Sequence, residues 1–106
     1  MSAVPKEWYA KHIINNYPYH MWQNAMRMAI EEDKRRVHQH HSLQPDHIKR
    51  NWLIFKLRAD KKTRQEISEI VDLSRGRIWQ IEINCSKKIL KNINKLKQRS
   101  QKHGRL

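Results

Sequence analysis

The sequence has little of the residues that build turns, and nothing in it is patterned like a strand. It contains two glycines and three prolines in 106 residues, and polar and apolar residues do not alternate over the length of a strand. Because alternation marks half-buried strands and glycine and proline mark turns, these absences predict an all-α fold. The length fits one small helical domain with an appended helical arm.

Cysteine and long apolar runs are also scarce. The single cysteine, Cys85, excludes a disulfide framework, and its place on the inner face of a helix predicts a buried apolar residue, not a reactive thiol. No apolar run approaches the roughly 20 residues that a membrane-spanning helix needs. Lys6, Glu7 and Lys11 interrupt any secretory pattern near the start. We therefore expect a cytoplasmic protein without a membrane partner.

Arrangements that carry catalysis are missing from the sequence. There is no glycine-rich phosphate loop, no paired carboxylates and no Ser-His-Asp spacing, so we predict no catalytic residues and no cofactor. The run His38-Gln39-His40-His41 invites a metal hypothesis, but it has neither a nearby cysteine nor a second pair of histidines on a partner helix. We interpret it as a polar linker and predict no metal site.

Negative charge is the other scarcity. Lysine and arginine total 23 against 10 aspartates and glutamates, which gives a formal charge of +13 and a pI of about 10.3. After Glu82 no acidic residue follows, whereas cations continue from Lys87 to Arg105. A run of cations without counter-charges favours contact with phosphates over a merely solvated face. Double-stranded DNA is therefore the expected partner.

Composition divides the chain into an N-terminal helical segment and linker (residues 1–42), a helical domain (43–99) and a basic, disordered tail (100–106). Pro5 is expected to open a first helix that ends before Pro18, and a longer helix is expected over residues 19–37. A helix over residues 46–58 has enough apolar residues to be the packing centre of the second part. The last helix is expected to end near Lys97.

Residues 63–82 have the pattern of two helices joined by a tight turn. Thr63 can cap the first helix with Glu66 as its capping-box partner, and Ser74 can cap the second. Apolar residues at i, i+3 and i+4 give each helix an inner face, and Leu73 fills the turn. Such a unit leaves the outer face of its second helix free to enter a DNA major groove.

The same residues carry a family resemblance. The strings that carry it are Gln65-Glu66-Ile67-Ser68, Leu73-Ser74-Arg75 and Arg75-x-Arg77-Ile78-x-Gln80-Ile81-Glu82. Through them residues 46–90 resemble region four of bacterial primary sigma factors, a helix-turn-helix that reads the upstream promoter element. Gly76 stands where that family usually has an acidic base-reading residue, and Trp79 where it has a basic one, so its promoter preference is not carried over. The layout is also similar to phage late-gene activators of the ArpU and RinA type.

The motif and the resemblance together predict a sequence-specific DNA-binding transcription regulator of phage or mobile-element origin. Arg75, Arg77 and Gln80 are the expected base readers, since arginine pairs with guanine and glutamine with adenine, although Gln80 fits a solvated helix position as well. Gly76 lets the backbone come close to DNA. The remaining predicted contacts are Arg64 and Ser74, which suit phosphates, and Asn84, Lys87, Lys88 and Lys91.

A second apolar strip lies beside the core face of the last helix, at Trp79, Ile83 and Leu90. This strip is wider than a minimal helix-turn-helix needs, so we predict a partner interface there. Three covers are considered, namely the N-terminal helix around Trp22 and Met26, a second copy of the protein in a homodimer, and a transcription partner.

An alternative function follows from the same resemblance. In sigma factors the domain also docks on the flap of the RNA polymerase β subunit, so this chain could be a polymerase-binding module that redirects transcription without reading DNA. An apolar docking surface on the helix over residues 46–58 is the feature that would mark it.

Overall fold

The computed structural model describes residues 4–39 and 44–103, and every regular element in those two ranges is helical. A 3-10 helix (Lys6–Trp8) precedes five α-helices, which are α1 (Ala10–Asn16), α2 (Tyr19–Gln39), α3 (Pro45–Ala59), α4 (Arg64–Val71) and α5 (Arg75–His103). The prediction of an all-α fold is confirmed.

Prolines set two of the helix boundaries. Tyr17 has extended backbone angles (φ −132°, ψ 143°), the conformation that a following proline favours, and this residue separates α1 from α2. Pro45 lies in the first turn of α3, where its missing N–H costs no hydrogen bond.

The first predicted helix is interrupted. Tyr9 is extended (φ −102°, ψ 144°), so the segment that begins after Pro5 is a 3-10 helix followed by a separate α1. The N–H of Ala10, which lies at the start of α1 without an intrahelical partner, donates to the carboxylate of Glu82 on α5 at 3.0 Å. The expectation of a continuous helix through Tyr9 was therefore wrong. A new helix begins at Ala10, and the hydrogen bond to Glu82 satisfies the backbone N–H that has no partner within that helix.

A lysine in a left-handed conformation turns the chain between α3 and α4. Lys61 has φ 69°, its N–H donates to the carbonyl of Arg58 at 3.0 Å, and the N–H of Lys62 donates to the carbonyl of Leu57 at 3.0 Å. This pair of hydrogen bonds is the Schellman pattern, in which glycine usually occupies the left-handed position. The turn brings Thr63 into place as the cap of α4.

The predicted caps around the α4–α5 turn are confirmed. The Thr63 hydroxyl accepts from the Glu66 N–H and the Glu66 carboxylate accepts from the Thr63 N–H, each at 3.1 Å. Asp72 ends α4 in the left-handed region at φ 56°. The Ser74 hydroxyl accepts from the N–H of Arg77 at 3.1 Å, which caps α5.

The hydrophobic core lies around α5, against which the 3-10 helix and α1 to α4 all pack. Its buried members are Ala10, Ile13, Trp22, Ala25, Met26, Ala29, Ile48, Trp52, Ile54, Phe55, Ile67, Ile78, Ile81, Cys85, Ile89 and Ile93. Trp22 of α2 meets Phe55 of α3 edge to face, with ring centroids 6.3 Å apart. The boundary that we expected near residue 42 thus marks no break in the core.

Helix α5 is longer than the sequence led us to expect. It has 29 residues and ends at His103, beyond the predicted end near Lys97. Residues 100–103 thus belong to the helix, whereas residues 104–106 of the predicted tail lie outside the described part. At a rise of about 1.5 Å per residue, α5 is about 44 Å long.

Candidate nucleic-acid interface

The first turns of α5 present a polar face to solvent, which we name the α5 outer face. Its exposed residues are Arg75, Gly76, Arg77, Gln80 and Asn84. On the opposite side of the same turns Ile78 and Ile81 are buried. The structure thus brings the predicted base-reading residues together at one end of one helix, beside the turn after α4.

Gly76 is not required by the chain's own packing. A Cβ atom added there would meet nothing within 4 Å, and its backbone does not have a positive φ. Glycine in a helix is nevertheless less favourable than alanine by about 1 kcal/mol. What this glycine provides is a gap in the α5 outer face through which another molecule can approach the backbone.

Behind the outer face lies the buried carboxylate of Glu82, which the sequence indicated only as the last residue of the family motif. Glu82 is 0 % exposed. Its Oε1 accepts from Arg58 Nε at 3.0 Å and from Arg64 Nη2 at 3.2 Å, and its Oε2 accepts from the Ala10 N–H. The available signal was its spacing, because Glu82 lies four residues after buried Ile78 and therefore on the core side of α5.

The place of Arg64 differs from the prediction. Its guanidinium is paired with Glu82 and lies 5.8 Å from the centroid of the Tyr9 ring. Part of its charge therefore neutralises a buried carboxylate, and its assignment as a phosphate contact stays a prediction. Ser74 remains exposed, and while its oxygen caps α5 its O–H can still donate to another group.

The apolar strip beside the core face is covered from within the chain. Trp79 is half-buried and its Nε1 lies 3.4 Å from the hydroxyl of Tyr9, the residue between the 3-10 helix and α1. Ile83 is 4 % exposed and Leu90 packs on the core. The N-terminal part of the chain thus supplies some of the cover, through Tyr9, and a partner interface at this strip stays a prediction.

Asp33 of α2 binds the distal part of α5. It is buried, and its carboxylate accepts from Lys88 Nζ at 2.9 and 3.1 Å and from Trp52 Nε1 at 3.0 Å. This ion pair holds α2 against α5 and joins both to α3. The ammonium group of Lys88 thus neutralises Asp33, and the assignment of Lys88 as a DNA contact stays a prediction.

The other cations of distal α5 are in varied surroundings. Lys87 is exposed, with its Nζ 4.0 Å from the centroid of the Trp8 ring, a cation–π geometry. Lys95 lies 3.8 Å from Glu32 of α2. Lys91 is exposed and makes no ion pair with any described residue. Carboxylates of α2 thus neutralise part of the positive charge that follows Glu82. These pairs are far apart in the sequence and could not be predicted from it.

An apolar groove lies between α2 and α3, away from the α5 outer face. It has a volume of about 530 Å³, and its apolar lining includes Ile30, Val37, Ile48, Trp52 and Leu53. Leu53, which is 43 % exposed, is the most exposed of these apolar residues. Lysines lie at its edges, at positions 34, 49 and 56.

Cys85 is a buried apolar residue, as predicted. Burial raises the pKa of its thiol to about 12, although the charge of Lys88 opposes the rise. Its sulfur lies 3.6 Å from the carbonyl oxygen of Asn51 on α3. This environment disfavours the thiolate that a reactive cysteine needs.

Neither a metal cluster nor a membrane helix is found in the described part of the chain. Within residues 4–39 and 44–103 no group of three or more potential ligands is arranged to hold a metal ion. None of the helices in these ranges is long and apolar enough to cross a membrane. The side chains of the histidine run 38–41 lie outside the described residues.

Comparison with known proteins gives no relative for this geometry. No protein-family model, no curated protein and no solved structure matches the chain.

Proposed function

We propose that this protein is a sequence-specific DNA-binding transcription regulator that places the α5 outer face in the major groove of double-stranded DNA. The observation that carries the proposal is the exposure of Arg75, Arg77 and Gln80 together, on the first turns of a helix whose other side is buried. Arginine pairs bidentately with guanine and glutamine with adenine, so these side chains supply direct readout.

The resemblance of residues 46–90 to sigma region four is part of the same proposal. The capping box at Thr63, the cap at Ser74 and the short turn between α4 and α5 support it. In a helix-turn-helix the first helix crosses the DNA backbone while the second enters the groove, which assigns these tasks to α4 and α5. Such a regulator, encoded by a phage or mobile element, acts in the cytoplasm of its bacterial host.

Phosphate contacts along α5 fall to fewer residues than the sequence indicated. Asn84, Lys87 and Lys91 are exposed on the side of α5 that continues the outer face. At Lys87 the ammonium rests on the Trp8 ring, which restrains it without neutralising it. Ser74 adds a hydroxyl donor at the N terminus of α5, where phosphates are favoured. We propose these residues as the contacts that position the helix.

Binding-site selection from random DNA, followed by single substitutions, tests the proposal. Arg77→Ala and Gln80→Ala should each weaken preference at particular base pairs by about 1–3 kcal/mol and leave thermal stability nearly unchanged. The matched controls are Arg99→Ala and Gln98→Ala, which remove the same residue types near the C-terminal end of α5. They should leave the base preference of the wild type unchanged.

The packing face gives the converse result. Ile81→Ala should lower the free energy of unfolding by about 2–5 kcal/mol, because Ile81 is 2 % exposed. Its base preference should stay intact in the fraction that folds. Failure to select any reproducible motif with wild-type protein would defeat the regulator proposal, and unfolding by Arg77→Ala would contradict the assignment of the outer face.

A polymerase-binding module remains the second candidate because the groove between α2 and α3 favours it. Leu53 is an exposed apolar residue on α3, the helix on which a docking surface was expected. On this alternative, Leu53→Glu should abolish capture of bacterial RNA polymerase, and DNA binding should be weak and without sequence preference. On the favoured proposal, Leu53→Glu should leave the selected DNA motif unchanged.

A further inference from the structure

Three shallow depressions of the surface meet at the side chain of Arg58. The first lies at the start of α5, where Arg75 contributes to it. The second lies between α1 and the end of α3 and includes Lys11 and Lys61. The third reaches the 3-10 helix, with Lys6 and Lys11 in its lining. No aspartate or glutamate lines any of the three, which together reach from the α5 outer face to the N-terminal segment.

The lysines of these depressions are not held in ion pairs by described residues. Lys6, Lys11 and Lys61 are exposed, and among the described residues none of them makes an ion pair. Distal α5 differs in this respect, because Asp33 and Glu32 of α2 neutralise lysines there. The nearest buried carboxylate, Glu82, is already paired with arginines.

Lys61 has a further property that points to a use for its side chain. It occupies the left-handed position of the turn after α3, with φ 69°, where glycine would fit without strain. A lysine there costs backbone energy that the turn itself does not require. Its backbone is held by the hydrogen bonds of that turn, so its side chain starts from a fixed point beside the N terminus of α4.

We propose that Lys6, Lys11 and Lys61 form a second phosphate-binding surface, which extends the DNA contact beyond the major-groove site along one strand. This inference rests on the proposed function. The backbone of the DNA passes the first helix of a helix-turn-helix, here α4, and Lys61 lies just before that helix. A strand that continues past Arg58 next meets Lys11 on α1 and Lys6 on the 3-10 helix.

The test compares two triple variants that lose the same charge. The first is Lys6→Gln, Lys11→Gln and Lys61→Gln. The control replaces, also with glutamine, the groove lysines at positions 34, 49 and 56, which line none of the three depressions. Each is titrated with a duplex that carries the selected motif and one helical turn of flanking DNA, and with a duplex of random sequence.

The expected result is a change in salt dependence that only the first variant shows. Loss of three phosphate contacts should flatten the slope of log K against log salt by about 2.7. The ratio of the wild-type binding constant to that of the first variant should therefore fall about 40-fold between about 50 and 200 mM salt. Phosphate ethylation should interfere with wild-type binding on one flank of the motif. That flanking interference should disappear with the first variant and persist with the control.

Two outcomes would contradict the proposal of a second phosphate-binding surface. One is an equal change of slope in both triple variants, which would reflect net charge alone. The other is wild-type ethylation interference confined to the motif, a measurement that needs no variant to fold. Failure of the proposed function would look different, because binding-site selection would then yield no motif. The salt dependence of the two triple variants could still be compared on the duplex of random sequence.

Discussion

Glu82→Gln is the substitution that tests the architecture behind the α5 outer face most directly. Glutamine keeps the size of the side chain and removes its charge. In the wild type both carboxylate oxygens accept hydrogen bonds, from Arg58 and Arg64 on one side and from the Ala10 N–H on the other. The amide has one oxygen, so its NH2 group must face a donor, and two guanidinium groups lose their counter-ion.

The size of the effect follows from how deeply the groups are buried. Removing one partner of a fully buried ion pair costs about 3–5 kcal/mol. Here the side chains of Arg58 and Arg64 are 22 % and 32 % exposed, so water can partly solvate them once the carboxylate is gone. We therefore expect a loss of about 2–4 kcal/mol in the free energy of unfolding. For a chain of this size that is a decrease in Tm of about 8–16 °C.

Urea and thermal unfolding followed by circular dichroism measure this loss. The matched control is Glu69→Gln on α4, an exposed glutamate whose carboxylate accepts from Gln65 at 3.3 Å. It should change the free energy of unfolding by no more than about 0.5 kcal/mol. A loss below about 1 kcal/mol for Glu82→Gln, the contribution of one ordinary hydrogen bond, would refute the view that this carboxylate joins α1, α3, α4 and α5.

Two further predictions concern titrating groups. Hydrogen bonding from the backbone and side chain of Thr63 holds the pKa of Glu66 below its ordinary value of 4.5, so the capping box stabilises α4 fully above that pH and this stabilisation is lost as pH falls through the lowered pKa. The stability difference between wild type and Glu66→Gln should accordingly narrow in thermal melts from neutral pH to about pH 3, and a constant difference would contradict it. Because burial raises the pKa of the Cys85 thiol to about 12, a disulfide reagent at neutral pH should label the protein only after urea unfolding. Rapid labelling of the native protein would show that the thiol is accessible.

The features that the sequence predicted well depend on residues close together in the chain. A cap and its partner are three residues apart at Thr63 and Glu66, and again at Ser74 and Arg77. Helix periodicity likewise places Ile78 and Ile81 on the buried face. These relations are local, so they could be recognised before the fold was known.

What the sequence could not predict depends on contacts between distant segments. Ala10 meets Glu82 across 72 positions, Tyr9 meets Trp79 across 70, and Asp33 meets Lys88 across 55. No periodicity within one helix identifies such partners. The ion pairs of Arg64 with Glu82 and of Lys88 with Asp33 were missed for the same reason, since in each pair the partner lies on another helix of the chain.

Gly76 has a consequence for how such a protein changes over generations. Since an added Cβ atom would meet nothing within 4 Å, and alanine favours a helix more than glycine does, Gly76→Ala is neutral or favourable for stability. If α5 reads DNA as proposed, selection on base preference at position 76 acts without opposing selection on folding. On that proposal, a change of residue at position 76 can alter base preference without a cost in the free energy of folding.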